Sequence, residues 1–91
     1  MHAALVTLAI DPAQAQAAAG ALMSDILPRL TATPGFVGGH WLEPKGGEGF
    51  AMLLFDTEEQ ARGAVPPAAG WSAPGVTIHT VDIRRVAVSV P

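Results

Sequence analysis

The sequence predicts an α+β fold in which four strands and two helices follow one another in the order β, α, β, β, α, β. Three observations support this prediction: apolar runs of strand length, helix-capping residues after two of these runs, and a glycine-containing turn between the middle strands. The stretch Pro34–Arg62 contains two of these apolar runs, the turn that joins them and one of the two helix starts. This stretch therefore defines the centre of the predicted sheet.

The 91 residues are expected to form a single domain, residues 1–91. A chain of this size buries a moderate share of its surface on folding. Its hydrophobic content is 49%, but much of this is alanine, which removes little apolar area from water. An oligomer that covers more of the surface is therefore expected.

Charge and composition exclude several classes of function. A net charge of −3 with five basic residues offers no cationic surface to a phosphate backbone, so nucleic acid is not an expected partner. The absence of cysteine excludes disulfides, thiolate metal sites and cysteine nucleophiles. No apolar window reaches the roughly 20 residues of a membrane span, and the first residues lack the basic segment of a secretory signal. The expectation is a cytoplasmic protein without a membrane partner.

The first strand is predicted over Ala3–Ile10 and is followed by a helix start. Asp11 can cap the first turn and Pro12 suits the first helical position. Large apolar residues then recur at helical spacing and form one stripe: Leu22, Met23, Ile26, Leu27 and Leu30. Because Pro28 cannot donate a backbone hydrogen bond, a kink is predicted near residues 24–28. The proline–glycine pair at 34 and 35 ends the helix.

The middle strands are predicted over Phe36–Leu42 and Gly49–Phe55, joined by the polar turn Glu43–Glu48. In the first of them Phe36 and His40 share one face, and Trp41 lies on the other. The adjacent glycines at 38 and 39 predict a bulge or a close approach to the backbone. The second is apolar on both faces, so both faces need to be covered.

The second helix is predicted to begin at Thr57, with Gln60 completing the cap, and to end at residues 66 and 67. A loop containing Trp71 leads to a last strand from Val76 to Val90. The apolar residues of this strand change parity twice. A bulge near Thr80 and a second irregularity near residues 84 and 85 would resolve these changes.

This order of elements is the ferredoxin-like βαββαβ arrangement, an antiparallel sheet with two helices on one face. The helices cover only that face, and a second copy of the chain is the simplest cover for the other. The sequence therefore predicts a symmetric homodimer, with residues 86–90 reaching toward the partner.

Three segments carry a resemblance to a known family: LPRLTATPGFVG at Leu27–Gly38, the strand containing Trp41, and LLFDTEEQAR at Leu53–Arg62. With these segments the chain resembles the dimeric α/β-barrel superfamily, particularly the small antibiotic-biosynthesis-monooxygenase-like proteins. The resemblance implies two sheets that close into a barrel at the dimer interface, and a mostly apolar cavity between sheet and helices. It also implies two activities, cofactor-independent oxygenation of polycyclic aromatic compounds and haem degradation. Haem-degrading members rely on an asparagine, a tryptophan and a histidine, and this sequence contains no asparagine.

The candidate catalytic residues are His40 and His79, as proton acceptors. The candidate ligand-binding residues are Trp41, Phe50, Met52 and Arg84, with the tryptophan stacking on a ligand and the arginine holding a carboxylate or phenolate. A packing role for Trp41 and a partly exposed His40 is the more frequent alternative. No metal site is expected because metal-ligand spacings are absent, and His2 is expected at a frayed terminus.

Three hypotheses for function remain open at the level of sequence. The first is a homodimer that binds an apolar or aromatic small molecule without a cofactor. The second is a cofactor-independent monooxygenase in which His40 or His79 removes a proton from an aromatic substrate. The third is a regulatory or interaction module that docks through the edge of its last strand.

Overall fold

The structure, a computed structural model, describes residues 1–64 and 75–90. Its antiparallel sheet has the order β2-β3-β1-β4 and consists of β1 (His2–Ile10), β2 (Phe36–Trp41), β3 (Glu48–Phe55) and β4 (Val76–Arg85). The first helical segment comprises a 3₁₀ turn (Pro12–Gln14), α1 (Ala15–Ala21), a π-helical turn (Leu22–Ile26) and α2 (Leu27–Thr31); the second helix is α3 (Glu58–Ala64). The predicted ferredoxin-like α+β fold is confirmed.

Both helical segments begin at the predicted caps. The Asp11 carboxylate accepts a hydrogen bond of 3.0 Å from the backbone N–H of Ala13. Before α3, the backbone N–H of Gln60 donates to Thr57 Oγ1 at 3.1 Å, and the backbone N–H of Thr57 donates to Gln60 Oε1 at 3.2 Å. This reciprocal pair satisfies two backbone donors that a helix start leaves without partners.

The irregularity predicted near Pro28 takes the form of the π-helical turn that ends at Ile26. Pro28 has no N–H to donate to the carbonyl four residues before it. The backbone N–H of Leu27 donates instead to the Leu22 carbonyl, five residues back, and the Ser24 hydroxyl donates to the Gly20 carbonyl at 2.8 Å. The helix therefore continues past the proline through a local change in its hydrogen-bond spacing.

The hydrophobic core lies between one face of the sheet and the helices. Its buried residues come from two central strands and the helices: Ala4, Val6, Ala51, Leu53, Phe55, Ile26, Leu30, Ala61 and Ala64. Phe55 is fully buried, and its ring meets that of Phe36 edge-on with the centroids 5.5 Å apart. In residues 1–64 and 75–90, the helices thus cover one face of the sheet and none lies on the other.

The prediction that Phe36 shares a face with His40 is wrong. The register between β2 and β3 shifts between Phe36 and Gly38, so Val37 is an extra residue without a partner in β3. This bulge turns Phe36 onto the core face, where it packs with Trp41 against the buried cluster. The bulge precedes the two glycines. Gly39 instead permits a close approach, since a Cβ atom there would lie 2.9 Å from Leu53 Cδ2.

The bulge predicted near Thr80 is present in β4. Thr7 pairs with Thr80 and Leu8 pairs with Ile78, which leaves His79 as the extra residue. The bulge places Val76 and Ile78 on the same face as Val81 and Ile83. Three of these residues pack against the core: Ile78, Val81 and Ile83.

Two predictions about the ends of the sheet are wrong. The last strand ends at Arg85 and not at Val90, and Val88 and Val90 are each 81% exposed. His2 is not frayed, because it lies in β1 and pairs with Phe55 and Arg85.

The predicted helix end at residues 66 and 67 and the loop with Trp71 lie outside the described residues. Within residues 1–64 and 75–90, no helix has the length and apolar character that crossing a membrane requires.

Replacing Glu58 with glutamine is expected to reduce the pH dependence of stability in the acidic range. Arg62 donates a hydrogen bond of 2.7 Å to Glu58 Oε1 and, through this bond and its charge, lowers the Glu58 pKa below its ordinary value of 4.5. A carboxyl group whose pKa is lower in the folded state than in the unfolded state stabilises the folded protein at pH values above its unfolded-state pKa. This stabilisation is lost as the pH falls through the folded-state pKa. Urea unfolding between pH 3 and 7 should show Glu58→Gln less stable than wild type at neutral pH. The difference should shrink toward pH 3, and a constant difference would contradict the assignment.

Candidate functional site

A cavity of about 240 Å³ lies between the first helical segment and one end of the sheet. Its lining combines residues of the helix, of the sheet and of the turn after β2: Ala15, Ala18, Ala19, Leu22, Ile26, Leu8, Ile10, Gly49, Phe50, Val76, Ile78, Trp41, Leu42 and Pro44. None of these side chains is ionisable, and Trp41 alone among them carries a polar atom, its indole N–H. The site is suited to an apolar molecule.

The cavity results from a change of side-chain size along the helical stripe. The stripe at positions 15, 18, 19, 22 and 26 follows the spacing of one helix face. Its second half carries Leu22 and Ile26, and the stripe continues to Leu30, which is 2% exposed. Its first half consists of alanines, whose short side chains leave space above the sheet. Sequence reasoning missed these alanines as site residues, although their small size at stripe positions was a readable signal.

The sheet side of the cavity depends on Gly49 of β3, which lies opposite Leu8 of β1. A Cβ atom at Gly49 would lie 2.7 Å from Leu8 Cδ1 and 3.4 Å from Ile10 Cδ1. Both neighbours line the cavity. The absence of a side chain at Gly49 therefore leaves Leu8 in its place beside the cavity.

Replacing Gly49 with alanine is expected to push the end of the Leu8 side chain toward the cavity and to weaken ligand binding about tenfold. The matched control is Gly38→Ala in β2, where an added Cβ meets nothing within 4 Å. Because alanine loses less conformational freedom than glycine on folding, Gly38→Ala should stabilise the protein by about 0.5 kcal/mol and leave binding unchanged. Calorimetric titration of both variants measures the contrast, and equal affinities would contradict the role of Gly49.

The structure separates the candidate site residues into two groups. Trp41 belongs to the cavity lining. Phe50 borders the cavity at the end of β3, but its exposed side chain lies on the other face of the sheet, as does that of Met52 two residues later. His40 and Met52 pair across β2 and β3 on the other face, both exposed. Trp41 and His40 thus point to opposite faces, as strand alternation predicts.

The remaining candidates, His79 and Arg84, lie on β4 at the opposite edge of the sheet from β2. His79 is the exposed bulge residue, and neither it nor His40 lines the cavity. Arg84 Nε donates a hydrogen bond of 2.8 Å to Asp82 Oδ2, and both side chains are largely exposed. The catalytic and ligand-binding roles of these residues stay predictions. In residues 1–64 and 75–90, no three or more His, Cys, Asp or Glu side chains are grouped to hold a metal ion.

A second feature is the sheet face that the helices leave uncovered. Leu5, Phe50 and Met52 are large apolar residues on this face and are 37–44% exposed. Met52 pairs directly with Leu5 in the register of β1 and β3. Toward β4 the face becomes polar, with Thr80 hydrogen-bonded to Thr7 and with the Asp82–Arg84 ion pair. We call this surface the uncovered face; its apolar part is formed by β1 and β3.

No protein-family model and no curated protein sequence matches the chain. Two solved structures are similar to it in fold. One is an arginine-to-serine mutant of MhuD with two manganese protoporphyrin IX molecules bound per active site, at a TM-score of 0.75, 14% identity and coverage of 100% of this chain and 99% of that chain. The other is an asparagine-to-alanine mutant of SnoaB, a cofactor-independent oxygenase from Streptomyces nogalater, at a TM-score of 0.67, 16% identity and coverage of 99% and 97%.

Both structures share the predicted ferredoxin-like α+β fold with this chain. The similarity extends over essentially the whole chain, so it describes the complete arrangement of sheet and helices. Fold does not determine activity, since one fold supports many kinds of site. The function must therefore be argued from the cavity and the uncovered face.

Proposed function

We propose that the protein is a homodimer that binds a small apolar or aromatic ring compound in the cavity between α1 and the sheet. The observation that carries this proposal is the cavity of about 240 Å³, whose lining side chains are apolar except for the indole N–H of Trp41. Ligand pockets are typically concave, mostly apolar and lined by aromatic side chains. Aromatic rings also favour offset or edge-on contact with a ring-shaped ligand.

The volume of the cavity limits the size of this ligand. An apolar cavity of about 150 Å³ lined by leucine, isoleucine and phenylalanine admits benzene. The present cavity is larger, at about 240 Å³, and is open at its exposed lining residues. We therefore choose a compound with two fused rings as the probe for binding.

The uncovered face supports the homodimer. Leu5, Phe50 and Met52 form a contiguous apolar area on the face that lacks helices. Large exposed apolar patches mark interaction sites, and soluble oligomers are mostly symmetric dimers of one chain.

No observation in the described residues favours the oxygenase hypothesis over binding alone. A general base must come within hydrogen-bond reach of the proton that it removes. His40 and His79 are exposed and do not line the cavity. Oxygen uptake with an anthrone-type substrate above background would restore that hypothesis. Loss of this uptake in His40→Ala or His79→Ala would identify the base.

The proposal is tested by calorimetric titration of the wild-type protein with 2-naphthalenemethanol, an uncharged compound with two fused rings. The expected result is saturable binding of one molecule per chain. Sedimentation velocity on the same sample should give twice the 9.3 kDa mass of one chain. Heats no larger than dilution would contradict the ligand site, and a monomer at micromolar concentration would contradict the dimer.

A further inference from the structure

The cavity contains no charge that could meet an anionic ligand. None of its lining residues has an ionisable side chain. The segment at positions 65–74, VPPAAGWSAP, also contains no ionisable side chain, so its sequence cannot supply a cation to the site. An ionised carboxylate seated among these side chains would therefore lose hydration and meet no positively charged side chain of the lining.

The charged residues beside the lining in the chain are mostly acidic. Asp11 follows Ile10, and Glu43 and Glu48 border the lining at Leu42 and Gly49. All three carboxylates are exposed. Each adjoins a lining residue in the chain, and their negative charge would oppose the approach of an anion.

Lys45 follows the lining residue Pro44 and is the one lysine or arginine that adjoins a lining residue in the chain. His40 and His79 adjoin Trp41 and Ile78, but both are exposed and neither lines the cavity. The backbone of Lys45 pairs with that of Glu48: the Lys45 N–H donates to the Glu48 carbonyl at 3.0 Å, and the Glu48 N–H donates to the Lys45 carbonyl at 3.1 Å. This pairing sets Lys45 directly across from an acidic residue. The single positive charge of Lys45 is therefore offset by neighbouring carboxylates, and the net field in this region is not positive.

From these observations we infer that the cavity selects uncharged ring compounds and excludes carboxylates built on the same ring. This inference rests on the proposed binding function and specifies the ligand class. Moving an ionised carboxylate from water into an apolar site is strongly unfavourable, and in such a site the group binds in its neutral, protonated form. The selectivity thus comes from desolvation and not from the shape of the ligand.

The test compares two ligands that differ in one group, 2-naphthalenemethanol and 2-naphthoate, by calorimetric titration at pH 7.5. The alcohol is expected to bind at least about 100-fold more tightly than the carboxylate. Because only the protonated acid enters, the apparent affinity for naphthoate should rise about tenfold for each unit by which the pH is lowered from 7.5 to 5.5. Equal affinities, or a naphthoate affinity independent of pH, would overturn the inference.

A matched pair of variants provides a second measurement. Ala19 is an exposed lining residue of α1, whereas Ala17 is exposed on the same helix and is not part of the lining. Ala19→Arg should raise the ratio of naphthoate affinity to alcohol affinity at least tenfold, since a guanidinium binds carboxylates. Ala17→Arg should leave this ratio unchanged. Equal gains in both variants would overturn the inference, because they would reflect the net charge of the protein.

The failure of this inference is distinguishable from the failure of the proposed function. If neither ligand binds wild type, the proposed function is wrong and the inference falls with it. If both bind with similar affinity, the cavity is a ligand site and only the exclusion of anions is wrong.

Discussion

Replacing Ala18 with leucine is expected to abolish the binding of 2-naphthalenemethanol while the protein remains folded. Ala18 is 7% exposed and lies in the middle of the cavity's helical wall. A leucine side chain would extend into space that is empty above the sheet. Filling an apolar cavity removes apolar surface from water, so the free energy of unfolding should rise by about 1–2 kcal/mol. Calorimetric titration and urea unfolding measure the two effects.

Ala17→Leu is the matched control for this substitution. Ala17 lies on the same helix, is exposed and takes no part in the cavity lining. Its replacement should leave ligand affinity unchanged within the error of the titration. Retained binding in Ala18→Leu would place the ligand elsewhere, whereas a parallel loss in both variants would indicate a general effect on α1. A folded Ala18→Leu with lower stability than wild type would show that the cavity is already filled by side-chain movement.

Replacing Met52 with lysine is expected to convert the proposed dimer into a monomer. Met52 is 37% exposed on the uncovered face and pairs with Leu5 in the neighbouring strand. In a symmetric dimer the substitution appears on both chains, so two ammonium groups would have to be buried without partners. In the monomer the lysine would reach water and cost little. Sedimentation velocity of wild type and variant over a range of concentrations measures the shift in mass.

Met23→Lys is the control, since Met23 is 67% exposed and lies on the π-helical turn, away from the sheet. This variant should keep the wild-type mass. Loss of the dimer in both variants would indicate that added charge alone prevents association. An unchanged mass in Met52→Lys would exclude the uncovered face as the interface.

Local signals in the sequence determined where the elements begin. The caps at Asp11 and Thr57 are recognisable because a side chain meets backbone donors only two or three residues away. The strand alternation that separates His40 from Trp41 is equally local. The alternating apolar pattern of the last strand even required a bulge, which the structure places at His79.

The bulge at Val37 could not be predicted in the same way. Its position depends on how β2 matches β3, and the pairing of Phe36 with Phe55 favours turning Phe36 into the core. Such a choice is made by packing across strands, since a shift of one residue moves a side chain to the other face. The end of β4 at Arg85 is another case, because strand length depends on the length of the neighbouring strand that offers hydrogen bonds.

The order of strands and helices, the caps and the apolar character of both sheet faces could be predicted from the residue pattern. The cavity could not, because it forms where the alanines of α1 lie over Gly49 and Leu8 in the folded protein. Only the tertiary structure decided that Trp41 faces this cavity while the two histidines do not line it. The physical reason is that a capped turn or an alternating strand is specified by neighbours in the chain. A cavity is specified by the summed sizes of side chains that meet from distant segments.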